Sequence, residues 1–324
     1  MRVLFLGGTA FTGPYAVREL VARGHDVTVF HRGESEPELP AAVRHVHGDV
    51  AHFDDRVDEL CALSPEVVVD MLAFLPEDCR RLLAFNGVAR RGVVVSSCDV
   101  YRAHGRARGT EPGPLEPVPL TENSPLREIV VDEDYDKVGV EREAAAVSDF
   151  PVTILRYPAV YGPGDRQHRL HGYVRRMDDG RPAILLEETH ADWRWVRGYS
   201  ENVGHALALA VESEQAAGRI YNVAAPVAYT EAEWVDKIAD VVEWEGRVVF
   251  ARADLLPESL RPTVDFRQHY DVDSSRIRSE LGYSELVDER AALERAVAWE
   301  RANPPADASL DYAAEDAALA ALTP

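Results

Sequence analysis

Along its first hundred residues the chain alternates short apolar runs with segments of helical spacing. Residues 2–6 are an apolar run, Gly7-Gly8-Thr9-Ala10-Phe11-Thr12-Gly13 is a turn, residues 14–23 place apolar side chains at helical intervals, and residues 26–30 are a second apolar run. That order predicts a βαβ unit. Further strands are expected at 43–46, 66–71 and 92–97, with helices at 56–63 and 76–89 between them. Val-rich strands alternating with helices predict a parallel sheet covered on both faces, an α/β doubly wound architecture. Residues 103–128 break the rhythm. Pro112, Pro114, Pro117, Pro119 and Pro125, with little periodicity around them, predict a long surface loop, and loops of that length often carry function. Helical spacing returns over 132–147, and 152–156 reads as another strand.

Beyond Tyr161-Gly162-Pro163-Gly164-Asp165 the strict alternation ends. The expected organisation is a first unit over 1–165, with returns to its sheet near 198–224. A smaller lobe follows from 166–197 and 225–302, then a tail at 303–324 with a helical, Ala-rich stretch at 313–322.

The 324 residues are 46% hydrophobic, enough for a sizeable core in one large domain with an appended lobe. No apolar run approaches the roughly 20 residues that span a bilayer, so no membrane partner and a cytoplasmic location are expected. Cys61, Cys79 and Cys98 show no CxxC spacing, which predicts neither a disulfide framework nor a metal site. Acidic side chains number 56 against 35 basic ones, a net charge of −21, and such a surface repels a phosphate backbone, so a nucleic-acid partner is disfavoured. Lysine occurs only at Lys137 and Lys237. A GC-rich genome or adaptation to high salt accounts for that equally well, and either makes a lysine position informative.

A glycine turn between a first strand and a helix lets a pyrophosphate approach backbone N–H groups at the positive end of the helix. The 7–13 turn fits that use, although Ala10 stands where the GxxGxxG spacing has its middle glycine. At the end of the second strand, where a carboxylate would bind a ribose 2′-hydroxyl, the chain has Phe30-His31-Arg32-Gly33. Arg32 therefore favours NADP over NAD, unless it is simply a solvated turn residue. Asp49, just past the third strand, either meets the adenine edge or caps a helix.

With Ser96-Ser97-Cys98-Asp99-Val100-Tyr101, Leu155-Arg156-Tyr157-Pro158-Ala159-Val160-Tyr161-Gly162-Pro163-Gly164-Asp165, Tyr221-Asn222-Val223 and Asp273-Ser274-Ser275-Arg276 in this order, the chain over residues 1–300 resembles a known family. It is similar to the extended and atypical short-chain dehydrogenase/reductase superfamily, in its NAD-dependent epimerase/dehydratase group. The resemblance implies a Rossmann-type doubly wound parallel sheet with a smaller C-terminal substrate lobe. It implies cofactor contacts from Gly7, Thr9, Phe11, Thr12, Gly13, Val50, Leu72, Ala73, Tyr157, Pro158 and Val160, beside Arg32 and Asp49. It also implies a catalytic set of a tyrosine acting as acid/base, a lysine four residues on that lowers the tyrosine pKa and holds the ribose, and a serine on the substrate oxygen.

Ser97 and Lys137 match that set, and Glu141 follows one turn after the lysine, but the tyrosine position is Glu133. The nearest phenol, Tyr135, precedes Lys137 by two residues, about 200° around a regular helix. Tyr135 serves with Ser97 and Lys137 only if the helix begins late; a buried Glu133 is the alternative base. Asp99, Tyr101 and Arg156 are further polar candidates. The resemblance puts His168 and His171 at the start of the substrate lobe, where Arg166, Arg169, Arg175, Arg176, Arg194 and Arg197 concentrate basic charge that suits a ligand phosphate or carboxylate, or local salt bridges to Asp178, Asp179 and Glu187.

The leading expectation is an NAD(P)-dependent oxidoreductase or epimerase/dehydratase acting on a small hydroxyl or carbonyl compound, such as a nucleotide sugar, with NADP as first and NAD as second cofactor. The alternative is a redox-inactive NADP-binding sensor or scaffold, and an RNA-binding relative is opposed by the charge. The resemblance further implies a candidate homodimer through the helices at 76–89 and 132–147.

Overall fold

The computed structural model describes residues 1–34, 37–306 and 309–322. Strand β1 (Arg2–Leu6) enters the core at once, with only Arg2 exposed. Helix α1 (Gly13–Ala22) starts with Pro14 in its first turn, where the missing N–H costs nothing, and buries Ala16, Val17 and Leu20. There follow β2 (Asp26–His31), β3 (Arg44–His47), α2 (Val57–Ala62), β4 (Val67–Asp70), α3 (Cys79–Leu83), β5 (Arg91–Ser97), α4 (Arg102–Ala107), α5 (Lys137–Ala145) and β6 (Val152–Tyr157). The second half runs β7 (Ala159–Tyr161), α6 (His171–Asp178), β8 (Ala183–Glu187), α7 (Glu188–Ala191), β9 (Arg197–Tyr199), α8 (Ser200–Glu212), β10 (Ile220–Asn222), α9 (Glu231–Val242), β11 (Arg247–Ala251), α10 (Ser275–Leu281), α11 (Glu289–Ala302) and α12 (Tyr312–Leu322).

The central sheet has the order β10-β6-β5-β4-β1-β2-β3, all neighbours parallel. It is a doubly wound Rossmann-type sheet, with the chain reversing direction of travel between β1 and β4. Every residue of β4 and of β6 is buried, as the continuous apolar runs require when helices cover both faces. On one face α8 lies against α1 so closely that a Cβ on Gly204 would sit 2.6 Å from the Cβ of Tyr15. A second cluster joins α6, β8, α9 and α11 through Val174, Met177, Ile184, Trp234, Ile238 and Leu293. There β8 and β11 pair in parallel, and α12 docks through a buried Arg176–Glu315 ion pair of 2.6 Å. Among the described residues no helix is long and apolar enough to cross a membrane.

Three segments differ from the expected pattern. The helix expected over 76–89 is a single turn at Pro76–Asp78 followed by the short α3, because the Asp78 carboxylate takes the N–H groups of Phe74 and Leu75 and Gly87 turns the chain at φ +82°. The helix expected from residue 132 starts at Lys137, since the Asp136 carboxylate accepts the Gly139 N–H at 3.0 Å and caps it there. Residues 103–128 are not a loop lying on the surface. They open with α4, bury Ala103 and Leu120 beside Tyr101, Val196 and Val272, and hold buried Glu111 by the N–H groups of Glu128 and Ile129 at 2.6 and 2.8 Å.

One polar network ties these parts together inside the core. Glu141 on α5 receives Arg156 of β6 in a fork, Nε to Oε1 at 2.9 Å and Nη2 to Oε2 at 2.6 Å, and the Ser96 hydroxyl of β5 at 2.6 Å. Arg156 also donates to the Tyr101 hydroxyl at 2.9 Å and the Glu122 carbonyl at 3.1 Å. The Tyr101 hydroxyl donates to Asn222 Oδ1 on β10 at 2.6 Å. Removing one partner would leave an uncompensated buried charge, so Glu141→Gln is expected to lower stability by about 3–5 kcal/mol. Urea unfolding of wild type and variant measures this; a loss below about 1 kcal/mol, the scale of an exposed pair, contradicts it.

Candidate active site

The carboxyl ends of the central strands form one side of a cleft of about 680 Å³. Its floor is the turn after β1. Gly7 and Gly8 take φ values of +85° and +98°, Phe11 takes +53°, and Gly13 packs so closely on Gly8 that a Cβ would lie 2.5 Å from the Gly8 Cα. Only glycine permits that approach, which brings the start of α1 up to the cleft. Gly7, Thr9, Phe11 and Thr12 line it, as do Arg32 after β2, Asp49 and Val50 after β3, Leu72 after β4, and Tyr157, Pro158 and Val160 around the end of β6. Gly13 and Ala73 do not line it: Gly13 shapes the turn from behind, and Ala73 is fully buried. Asp49 caps the next turn, accepting the Ala51 N–H at 2.9 Å, while also lining the cleft. Arg32 is exposed and lies 3.1 Å from Glu34.

At the other end of the cleft are Ser97, Tyr135 and Lys137. Tyr135 precedes the cap residue of α5, so its direction is not governed by helical geometry. Its phenol lies beside the side chains of Ser97 and Asp99. Burial, with the Asp99 carboxylate beside it, pushes the Tyr135 phenol well above its ordinary range. Lys137 is buried. Its ammonium donates to the carbonyl oxygens of Ala73 at 2.5 Å and Val95 at 3.0 Å, and lies 4.3 Å from the ring centre of Phe74 and 5.9 Å from that of Tyr135. Burial brings its pKa down to about 8, resisted by Asp70, Asp99 and Asp78. Glu133 is exposed in a turn and does not line the cleft.

Several residues carry the site without a motif to announce them. Phe74 roofs Lys137, and buried Asp70 holds the Leu72 N–H at 2.7 Å, shaping the wall that Leu72 presents. Arg127 stands 3.9 Å behind Asp99. The signal for Asp99 is its place two residues past Ser97; for Phe74 and Arg127 nothing in the local pattern marks them. The expected basic patch is largely spent internally. Arg169 pairs with Asp165, Arg176 with Glu315, Arg175 with Asp179 and Arg197 with Glu231.

The residues fit a nicotinamide dinucleotide: a glycine turn at a helix start, a cleft running from the end of β2 to the end of β5, and a buried ammonium at its inner end. The sequence pattern of the NAD dependent epimerase/dehydratase family matches residues 3–224, and the chain belongs to that family. It is 30% identical to the 2'-dehydrokanamycin reductase of Streptomyces kanamyceticus over 69% of this chain, a match that spans 62% of that relative, less than two thirds of its length. In fold it is similar to an epimerase of Methanothermobacter thermautotrophicus, with a TM-score of 0.70, 19% identity, and coverage of 93% of this chain and 92% of that one. It is similar too to MoeE5 in complex with UDP-glucuronic acid and NAD, with a TM-score of 0.68, 22% identity, and coverage of 93% and 99%.

The buried ammonium makes a prediction that the small number of lysines renders easy to read. With 15N-labelled lysine, one of two side-chain signals is expected to titrate near 8 and vanish in Lys137→Met. Between about 8 and 10.5 the unfolded chain holds this proton more firmly than the folded one, so stability rises with pH through that window. Urea unfolding across it should show a steeper rise for wild type than for Lys137→Met; parallel curves contradict the assignment.

Proposed function

We propose that the chain is an NADP-dependent oxidoreductase of this family that reduces a carbonyl, or epimerises through one, on a small hydroxylated compound, with nucleotide sugars as the first substrate class to test. The observation that carries the reading is the phenol of Tyr135, set off the helix against Ser97 and Asp99 with the Lys137 ammonium close by. Bound nicotinamide cofactor supplies the hydride exchanged with the substrate carbon. Tyr135, held in its protonated form by burial and Asp99, donates its proton to the substrate oxygen. Ser97 hydrogen-bonds that oxygen and orients it. Lys137 opposes the negative charge left on the phenol and offers its remaining N–H to the ribose. A relative bears the name of a reductase, which supports the reductive direction. The solved neighbour holding UDP-glucuronic acid supports a sugar substrate.

Support for NADP comes from Arg32, exposed at the end of β2 with no acid on the strand end itself. Calorimetry is expected to show tighter binding of NADPH than NADH and a narrower gap in Arg32→Ala; equal affinities in wild type contradict the preference. Screening carbonyl compounds by cofactor consumption tests the activity. Tyr135→Phe is expected to cut turnover about 10²–10⁴-fold with NADPH affinity kept. The kcat/KM is expected to fall above about pH 8 as Lys137 loses its proton. Full activity in Tyr135→Phe would remove the phenol from the mechanism, and NADPH binding without turnover on any substrate would favour a sensor.

A further inference from the structure

The edge strand β3 carries His45 and His47 two residues apart, so both project from the same face of the sheet. The last residue of β2, His31, is paired with His47 in the parallel register and joins them on that face. His31 Nε2 and His45 Nδ1 are 2.8 Å apart. The ring centres of His31 and His47 are 4.8 Å apart, and one ligand nitrogen from each of the three rings lies within 4.8 Å of the other two. Three imidazoles on a tetrahedral ion at 2.0–2.1 Å need nitrogens about 3.3 Å apart. The remaining adjustment falls to the side chains, because the two backbones are already held together by the sheet ladder. The cluster is far from Tyr135 and Lys137 in the cleft, at the end that His31 and Gly33 line.

We propose that His31, His45 and His47 form a site for a divalent transition metal such as zinc, which neither the fold nor the reading of the active site requires. Three neutral nitrogen donors suit zinc, cobalt or nickel and not magnesium or calcium, which take oxygen. A fourth position remains open to water or a ligand. The Gly33 N–H reaches His31 Nδ1 at 3.2 Å, which leaves the His31 proton on Nε2, directed at His45. A metal between those two rings replaces that proton; His31 then carries its proton on Nδ1 and releases the Gly33 N–H. Metal binding therefore moves the Arg32-Gly33-Glu34 turn.

The test is titration of cobalt(II) alone into the full chain, free of any histidine tag, above the ordinary imidazole pKa range. A visible cobalt spectrum saturating at one equivalent, bleached by zinc and untouched by magnesium, is expected. The His45→Ala and His47→Ala variants, changed only on an exposed edge, should keep their circular dichroism and lose the spectrum. Zinc should also shift the imidazole NMR signals of these three rings and leave the other histidines in place. Absence of a saturable one-to-one spectrum in wild type overturns the proposal, as does the same spectrum in a variant with both substitutions.

Discussion

A guanidinium and a carboxylate, both withdrawn from water, hold the cleft-bearing half of this molecule in place. Arg156 and Glu141 are 1% and 4% exposed, and neither charge would be tolerable there alone. Their fork geometry, with Ser96, Tyr101 and the Glu122 carbonyl filling the remaining hydrogen-bonding positions, offsets the cost of removing them from water. The consequence is positional. Glu141 is one helical turn beyond Lys137, so anchoring the carboxylate to β5 and β6 fixes the face that α5 turns to the sheet and with it the lysine. The Ser96 hydroxyl is committed to the network, and strand alternation turns the Ser97 side chain to the opposite face, away from Glu141.

The same network reaches outward through Tyr101 and Asn222. Asn222 donates to the Asp273 carbonyl at 3.0 Å, and its N–H is accepted by Glu122 at 3.0 Å. These bonds draw the 103–128 segment and the start of α10 against the sheet edge. A segment without periodicity thus becomes part of the core by polar hooks and a few isolated apolar side chains such as Leu120. Asp99 and Arg127, 3.9 Å apart behind Tyr135, lie against that packing.

Burial acts in opposite directions on the acids and bases of the cleft. It raises Asp70, Asp99 and Tyr135 and lowers Lys137, while the carboxylates pull Lys137 back toward its charged form. A chain with so few lysines places one of them where a point charge with a movable proton is useful, and uses arginine where a fixed charge and a planar fork are needed, as at Arg156 and Arg176.

The alternation of apolar runs and helical segments, the glycine turn and the order of the motifs determined the parallel sheet and the glycine-turn end of the cleft, because each depends on contacts within a few residues or on strand burial that shows directly in composition. The direction of Tyr135 was undecidable from spacing. It depends on where α5 begins, which the Asp136 carboxylate and the packing of Gly139 against Pro76 settle by side-chain contact. Likewise the basic residues near 166–197 read equally as a ligand patch or as local salt bridges, and two of their partners, Glu231 and Glu315, are distant in sequence and were brought beside them only by the fold. The three histidines of β2 and β3 became a cluster only through strand register. Local sequence records propensity and burial; pairing between segments far apart in the chain is a property of the folded arrangement alone.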